Sequence, residues 1–171
     1  KIFPGNEFPF LQCSPFHHGY LREPGHRATL LKITNIVMAI EIVVPSNEKQ
    51  WQECRNLHHE YVQIIGEHPL LKPYFSSKNF FTEIESMPQG YQPPDGICLM
   101  AYLDHFPAGT VAVRKLDKYT CEMKRLYVRP EARGTGMGTL LVEKALDEAK
   151  RLGFTKMRLD NSKSAMEKAN A

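Results

Sequence analysis

Residues 121–152, reading CEMKRLYVRPEARGTGMGTLLVEKALDEAKRL, leave this chain few ways to fold. The segment opens as a β-type run, with Met123, Leu126, Tyr127 and Val128 set among charged residues, and stops at Pro130. The turn Arg133-Gly134-Thr135-Gly136-Met137-Gly138 follows, and then an amphipathic helix. Helical spacing puts Leu141, Ala145, Ala149 and Leu152 on one stripe, with Val142 and Leu146 beside it. Lys144, Asp147, Glu148 and Arg151 face away, in the opposite-signed pairs Lys144–Glu148 and Asp147–Arg151. Gly153 suits the position just past the helix end.

Strand, glycine turn and helix together can hold a phosphate. The first N–H groups of a helix have no internal acceptor and sit at the positive end of its dipole. Glycines at 134, 136 and 138 remove the side chains that would keep an anion from them. Arg133 adds a fixed cation whose fork matches phosphate oxygens. The competing reading is that the glycines only let strand and helix pack closely.

The spacing is neither the G-x-G-x-x-G of a dinucleotide fold nor a Walker loop. It matches Q/R-x-x-G-x-G/A, with Arg133, Gly136 and Gly138 in the fixed places. That is the acetyl-CoA pyrophosphate motif of the GNAT superfamily of N-acetyltransferases, which the chain resembles from about Ile40 onward. EMKRLYVRPEARG is similar to the fourth strand of that superfamily, and MPQGYQPPDGICLMAYLDHFPAGTVAVRKL resembles a largely uncharacterised bacterial subgroup. The resemblance implies an α/β fold, a mixed and mostly antiparallel sheet flanked by helices, with acetyl-CoA as co-substrate. It implies that the fourth and fifth strands splay apart. Backbone groups of Leu126, Tyr127 and Val128 would then receive the pantetheine arm and acetyl carbonyl. Arg133, Gly134, Thr135, Gly136, Met137, Gly138 and Thr139 would hold the pyrophosphate.

Transfer of acetyl to an amine needs a neutral amine, a polarised thioester, their close approach and a proton for the leaving thiolate. Glu122 lies eleven residues before Arg133, a separation that resembles that of the glutamate base in histone-acetylating members. Three roles stay open for it: general base, positioning of the substrate ammonium, or pairing with Lys124 or Arg125. In family members the positions of Asp160 and Asn161 face the same cleft, so these residues are candidates to contact acceptor or cofactor. Tyr91, in the turn-rich stretch 87–96, either frames the acceptor pocket or belongs to a rigid connection. The thiol-protonating tyrosine of the family falls in a segment expected beyond Ala171. On this reading the chain lacks the last helix and strands and is incomplete.

Composition narrows the rest. The chain has 171 residues, 42% hydrophobic and 24% charged, as in one ordinary globular domain. Of the net charge of +3, residues 1–37 hold two units (four Lys/Arg against two Asp/Glu), so nothing points to nucleic acid or membrane. Residues 1–37 are rich in Pro and Gly, without periodicity before Leu30, and are expected to be a disordered or non-native extension. Residues 38–171 are expected to form the acetyltransferase domain. No leader is evident, so a cytoplasmic protein is expected, with an open edge on the fifth strand that would allow a homodimer. Cys13, Cys54, Cys98 and Cys121 show no CxxC spacing and read as reduced, mostly buried thiols. Cys13, His17, His18 and His26 match no zinc pattern. His58 and His59, adjacent on a helix, point about 100° apart and do not chelate together. No metal is expected.

The remaining elements follow from local signals. Ile40–Val44 reads as a strand. Ser46 or Asn47 caps a helix in which Trp51, Cys54, His58, Tyr61 and Ile65 recur. A helix over about 77–85 points Phe80, Phe81 and Ile84 inward, and residues 97–103 and 109–116 form a hairpin around DHFPA. Residues 156–159 make a strand, and a helix starts near Ser162 or Ser164. The function expected is transfer of acetyl from acetyl-CoA to a primary amine of a small molecule or protein, by direct attack in a ternary complex. The alternative is a non-catalytic acetyl-CoA-binding sensor or an inactive fragment. Nothing in the sequence identifies the acceptor.

Overall fold

The computed structural model describes residues 6–9, 39–67 and 79–159. Its strands are β1 (Asn6–Pro9), β2 (Ile40–Val43), β3 (Gly96–Leu103), β4 (Phe106–Lys115), β5 (Thr120–Val128) and β6 (Lys156–Leu159). Its helices are α1 (Glu48–Gly66), α2 (Asn79–Glu85) and α3 (Met137–Arg151). The strands form one sheet in the order β1-β6-β5-β4-β3-β2. Every pairing is antiparallel except β5–β6, and the parallel return of β6 needs the crossover that α3 supplies. This is the mixed, mostly antiparallel sheet that the motifs implied.

Two cores lie on the two faces of the sheet. On one, Met137, Leu141, Ala145 and Ala149 of α3 pack on Leu99, Val111, Val113, Cys121 and Met123. On the other, Trp51, Cys54, Leu57 and Val62 of α1 and Ile84 of α2 pack on Cys98, Met100, Ala112 and Tyr127. The cap of α1 is Asn47, whose Oδ1 accepts from the Gln50 N–H at 3.0 Å.

The structure departs from the sequence reading in several places. Phe81 is 46% exposed, its ring stacked on His59 with centroids 5.6 Å apart, while Ile84 faces the core. The hairpin turn is shorter than DHFPA. Asp104 and His105 both take positive φ (47° and 71°), and such a two-residue turn matches the twist of the strands, so β4 starts at Phe106. Glu148, expected to face away, is 5% exposed, and Lys144 and Arg151 both pair with it at 3.1 and 3.4 Å. Asp147 consequently pairs with Lys150 instead of Arg151. Within the segment expected to stand apart, Asn6–Pro9 forms β1 and pairs along the edge of β6 that was expected to be open. Cys13, His17, His18, His26, Asp160, Asn161 and the helix expected near Ser162 lie outside the described residues.

Candidate active site

Sequence makes β5 the hinge of the site. Its pairing with β6 covers only Thr120–Met123, opposite Lys156–Leu159. Beyond Met123 the backbone of residues 124–128 has no strand beside it on that side, among the described residues. Backbone polar groups left this way need an outside partner. Leu126, Tyr127 and Val128 lie in this stretch.

The register of β5 against β4 jumps between Tyr127 (opposite Thr110) and Lys124 (opposite Ala112), so Arg125 and Leu126 share one partner position. Arg125 sits at φ 54°. An extra residue of this kind is a β-bulge, and it changes which face the following side chains take. Cys121 and Met123 lie in the α3 core; past the bulge Leu126 and Val128 pack there too, while Tyr127 joins the α1 core.

After β5 a 3₁₀ turn over Pro130–Ala132 leads into the glycine turn. Gly134 and Gly136 take φ of 79° and 85°, which side chains rarely adopt. A Cβ built at either would meet nothing within 4 Å, and one at Gly138 would only touch Val128 at 3.8 Å. Close packing therefore does not call for these glycines; the space above them is open. Met137 N–H reaches Thr135 Oγ1 at 3.4 Å and Leu140 N–H bonds to Gly136 O at 3.1 Å. The N–H groups of Gly138 and Thr139 have no acceptor among the described residues. Arg133 is exposed, and its Nε donates to Val128 O at 3.1 Å, which fixes the guanidinium beside the turn. A cavity of about 310 Å³ lies here, lined by Val128, Arg133, Gly134, Gly136, Gly138 and Thr139 among others. Orphan donors, a fixed cation and open space make an anion cradle.

On the α1–α2 face, Glu122 is half-buried, with Arg114 and Arg158 at the register positions on either side of it. It makes no hydrogen bond or ion pair among the described residues. Lys124 and Arg125, its expected pairing partners, bind Glu83 instead: Lys124 Nζ lies 3.0 Å from Oε1, and Arg125 Nη2 bonds Oε2. Arg114 Nη1 also reaches Glu83 Oε1, at 2.7 Å. Burial pushes the Glu83 carboxyl up, but the Tyr91 hydrogen bond and the Arg125 and Lys124 charges outweigh it and bring it down to about 2. Tyr91 is 1% exposed, and its hydroxyl donates to Glu83 at 2.6 Å and accepts from Arg125 at 2.9 Å. Its hydroxyl is thus spent on a brace within the protein rather than left open to a substrate. Burial, with the Glu83 bond adding to it, pushes that phenol above its ordinary value.

Closer to α3, Glu60 on α1 takes Arg129 through both oxygens, at 2.9 and 2.5 Å, and the Tyr127 hydroxyl at 3.2 Å. The Arg129 hydrogen bond is the main reason the Glu60 carboxyl is depressed. This clamp fixes α1 to the strand end from which the glycine turn departs. Cys121 is buried and its thiol is pushed up to about 11 by that burial, so it is not activated as a nucleophile.

A profile of the Acetyltransferase (GNAT) family matches residues 51–170. The chain belongs to the GNAT acetyltransferase family. It is 44% identical over 85 residues to an uncharacterized N-acetyltransferase of Schizosaccharomyces pombe, covering 48% of this chain and 52% of that protein. A Dictyostelium discoideum uncharacterized N-acetyltransferase is 48% identical over 44 residues, 26% of this chain and 20% of its own length. The chain thus spans about half the length, or less, of these curated relatives. In fold it is similar to a GNAT acetyltransferase from Staphylococcus aureus (TM-score 0.62, 19% identity, 77% of this chain and 79% of that one). It is similar also to a Thermoplasma acidophilum PaiA N-acetyltransferase solved with coenzyme A (TM-score 0.57, 19% identity, 78% and 86% covered).

Sequence reasoning missed Glu83 and Glu60. Neither stands in a motif, and each gains meaning only when the sheet brings β5 cations beside α1 and α2. It set Cys54 and His58 on one helical stripe but did not read them as a pair of donors.

Proposed function

We propose that the chain transfers acetyl from acetyl-CoA to a primary amine by direct attack in a ternary complex. The observation that carries this reading is the opening beside β5 beyond Met123, which leads from half-buried Glu122 to the cradle at the start of α3. In this reading Arg133 and residues 134–139 hold the pyrophosphate, and the backbone of Leu126, Tyr127 and Val128 holds the pantetheine arm. Glu122 takes a proton from the acceptor ammonium, directly or through a water. The amine nitrogen then attacks the thioester carbon, a C–N bond forms, the C–S bond breaks, and the thiolate leaves to be protonated. That Lys124 and Arg125 are held by Glu83 supports this role, since it leaves Glu122 without a structural counter-ion there. The acceptor is a small molecule or an exposed protein amine. Asp160 and Asn161 are proposed to contact it.

The test is thiol release from acetyl-CoA by the full-length protein against a panel of amines. Glu122→Gln should lower kcat at neutral pH by about 10²-fold, with KM for acetyl-CoA little changed. The deficit should shrink as pH rises and free amine becomes abundant. A deficit that ignores pH would assign Glu122 to positioning. Acetyl-CoA binding without transfer to any amine would favour the sensor reading.

A further inference from the structure

Cys54 and His58 leave the same face of α1, and that face packs on β3 and β4. There they meet Cys98 and Thr110. Cys54, His58, Cys98 and Thr110 are each 0% exposed. The Sγ atoms of Cys54 and Cys98 are 3.0 Å apart, and Cys98 Sγ is 3.7 Å from His58 Nε2. Thr110 Oγ1 stands 3.8 and 3.7 Å from the two sulfurs and donates its proton to Leu99 O at 2.9 Å. His58 Nδ1 has no partner among the described residues.

The distances suggest what the ring is for. Around a tetrahedral ion with bonds of about 2.3 Å to sulfur and about 2.05 Å to nitrogen, neighbouring donors lie roughly 3.5–3.8 Å apart. The Cys98–His58 edge and both sulfur–oxygen edges already have that length, and the Cys54 and His58 donors lie within 4.8 Å of each other. The sulfur–sulfur edge is short by roughly 0.7 Å, which small side-chain rotations open. A hydrogen bond between the two thiols spans that edge. We propose that Cys54, Cys98 and His58, with the Thr110 hydroxyl at the fourth corner, form a structural site for a zinc-class divalent cation. Two thiolates and an imidazole are a soft donor set, and four corners suit zinc better than low-coordinate copper(I). Binding releases the thiol protons to solvent, and the two thiolates neutralise the ion, so no net charge enters the core. The His58 proton then resides on Nδ1. The ion ties α1 to β3 and β4 and shares no residue with the acetyl-transfer site. It departs from the expectation of no metal, which rested on the lack of CxxC or other zinc spacing and on the divergence of His58 and His59.

Reduced, metal-stripped full-length protein is titrated with cobalt(II). One equivalent should bind, with thiolate-to-cobalt charge-transfer absorption, and zinc should displace it and raise the unfolding midpoint. Cys54→Ser and Cys98→Ser should lose that absorption, and Cys121→Ser, in the opposite core, should keep it. X-ray absorption of the zinc-loaded wild type, which depends on no variant, should show two sulfur ligands. A shell of nitrogen and oxygen alone, charge transfer that persists in Cys98→Ser, or recovery of Cys54–Cys98 as a disulfide with no metal uptake would overturn the site.

Discussion

Glu83→Gln removes one charge and almost no volume from the brace behind Glu122. In the wild type the carboxylate takes Tyr91 at 2.6 Å, Arg114 at 2.7 Å, Lys124 at 3.0 Å and Arg125. Arg114 and Lys124 can turn to water, but the Arg125 side chain is 2% exposed and its Nε already lacks a partner among the described residues. Leaving a buried cation uncompensated costs about 3–5 kcal/mol. The Phe80 ring, 5.5 Å from the guanidinium, offers a partial replacement, so we expect about 3 kcal/mol. At roughly 2–4 °C per kcal/mol that is a fall of about 10 °C in midpoint.

The pH dependence separates charge from shape. Glu83 is depressed from 4.5 to about 2, so between those values the unfolded chain binds the proton and the folded chain does not. The stabilisation is present above about pH 4.5 and is lost as pH falls toward 2. The shift alone corresponds to roughly 3 kcal/mol, cut to about 2 because the side chain keeps contact with solvent. Thermal unfolding of wild type and variant from pH 7 to pH 2.5 should show midpoints that converge on acidification. A gap unchanged at pH 3, or worth less than about 1 kcal/mol at pH 7, would refute the charge argument.

Two further outcomes are expected. Asn and Asp both tolerate the left-handed backbone at Gly136, so Gly136→Asp should weaken acetyl-CoA binding at least about tenfold more than Gly136→Asn in calorimetry, which isolates the charge. Gly109→Ala would place a Cβ 2.9 Å from Met137 Sδ and 3.1 Å from Tyr127 O, lifting the start of α3 off β4; denaturant unfolding should show a loss of about 1–3 kcal/mol.

The proposed cofactor side of this protein was legible because it is local. Arg133, the three glycines, the strand before them and the helix after them are contiguous, and each residue type has one physical reason to be there. The brace around Glu83 is assembled from separate places. Glu83 comes from α2, Tyr91 from a turn, Arg114 from β4 and Arg125 from β5, and no pattern in any one of them announces the others. Tyr91 was noticed for its prolines and glycines, which mark a turn but cannot show that the ring points inward. Phe81 was placed inward on apolarity, yet a seven-residue helix has only one buried stripe, and Ile84 occupies it.

The bulge at Arg125 is where the two sides become one device. In a regular strand Lys124 and Arg125 would point to opposite faces, and only one could reach Glu83. The added residue lets both do so, and it shifts the alternation so that Leu126 and Val128 return to the α3 side next to the glycine turn. The same irregularity falls where β6 stops pairing, so the strand that bends is also the strand whose backbone is left open. A positive φ at an arginine costs about 1–2 kcal/mol, and a single ion pair near the surface would not offset it. Three cations and a phenol converging on one carboxylate do. The Glu83 brace therefore holds the bend, and the bend presents the open backbone. In this arrangement a loosened Glu83 should disturb acetyl-CoA affinity even though no atom of Glu83 lies in the cradle.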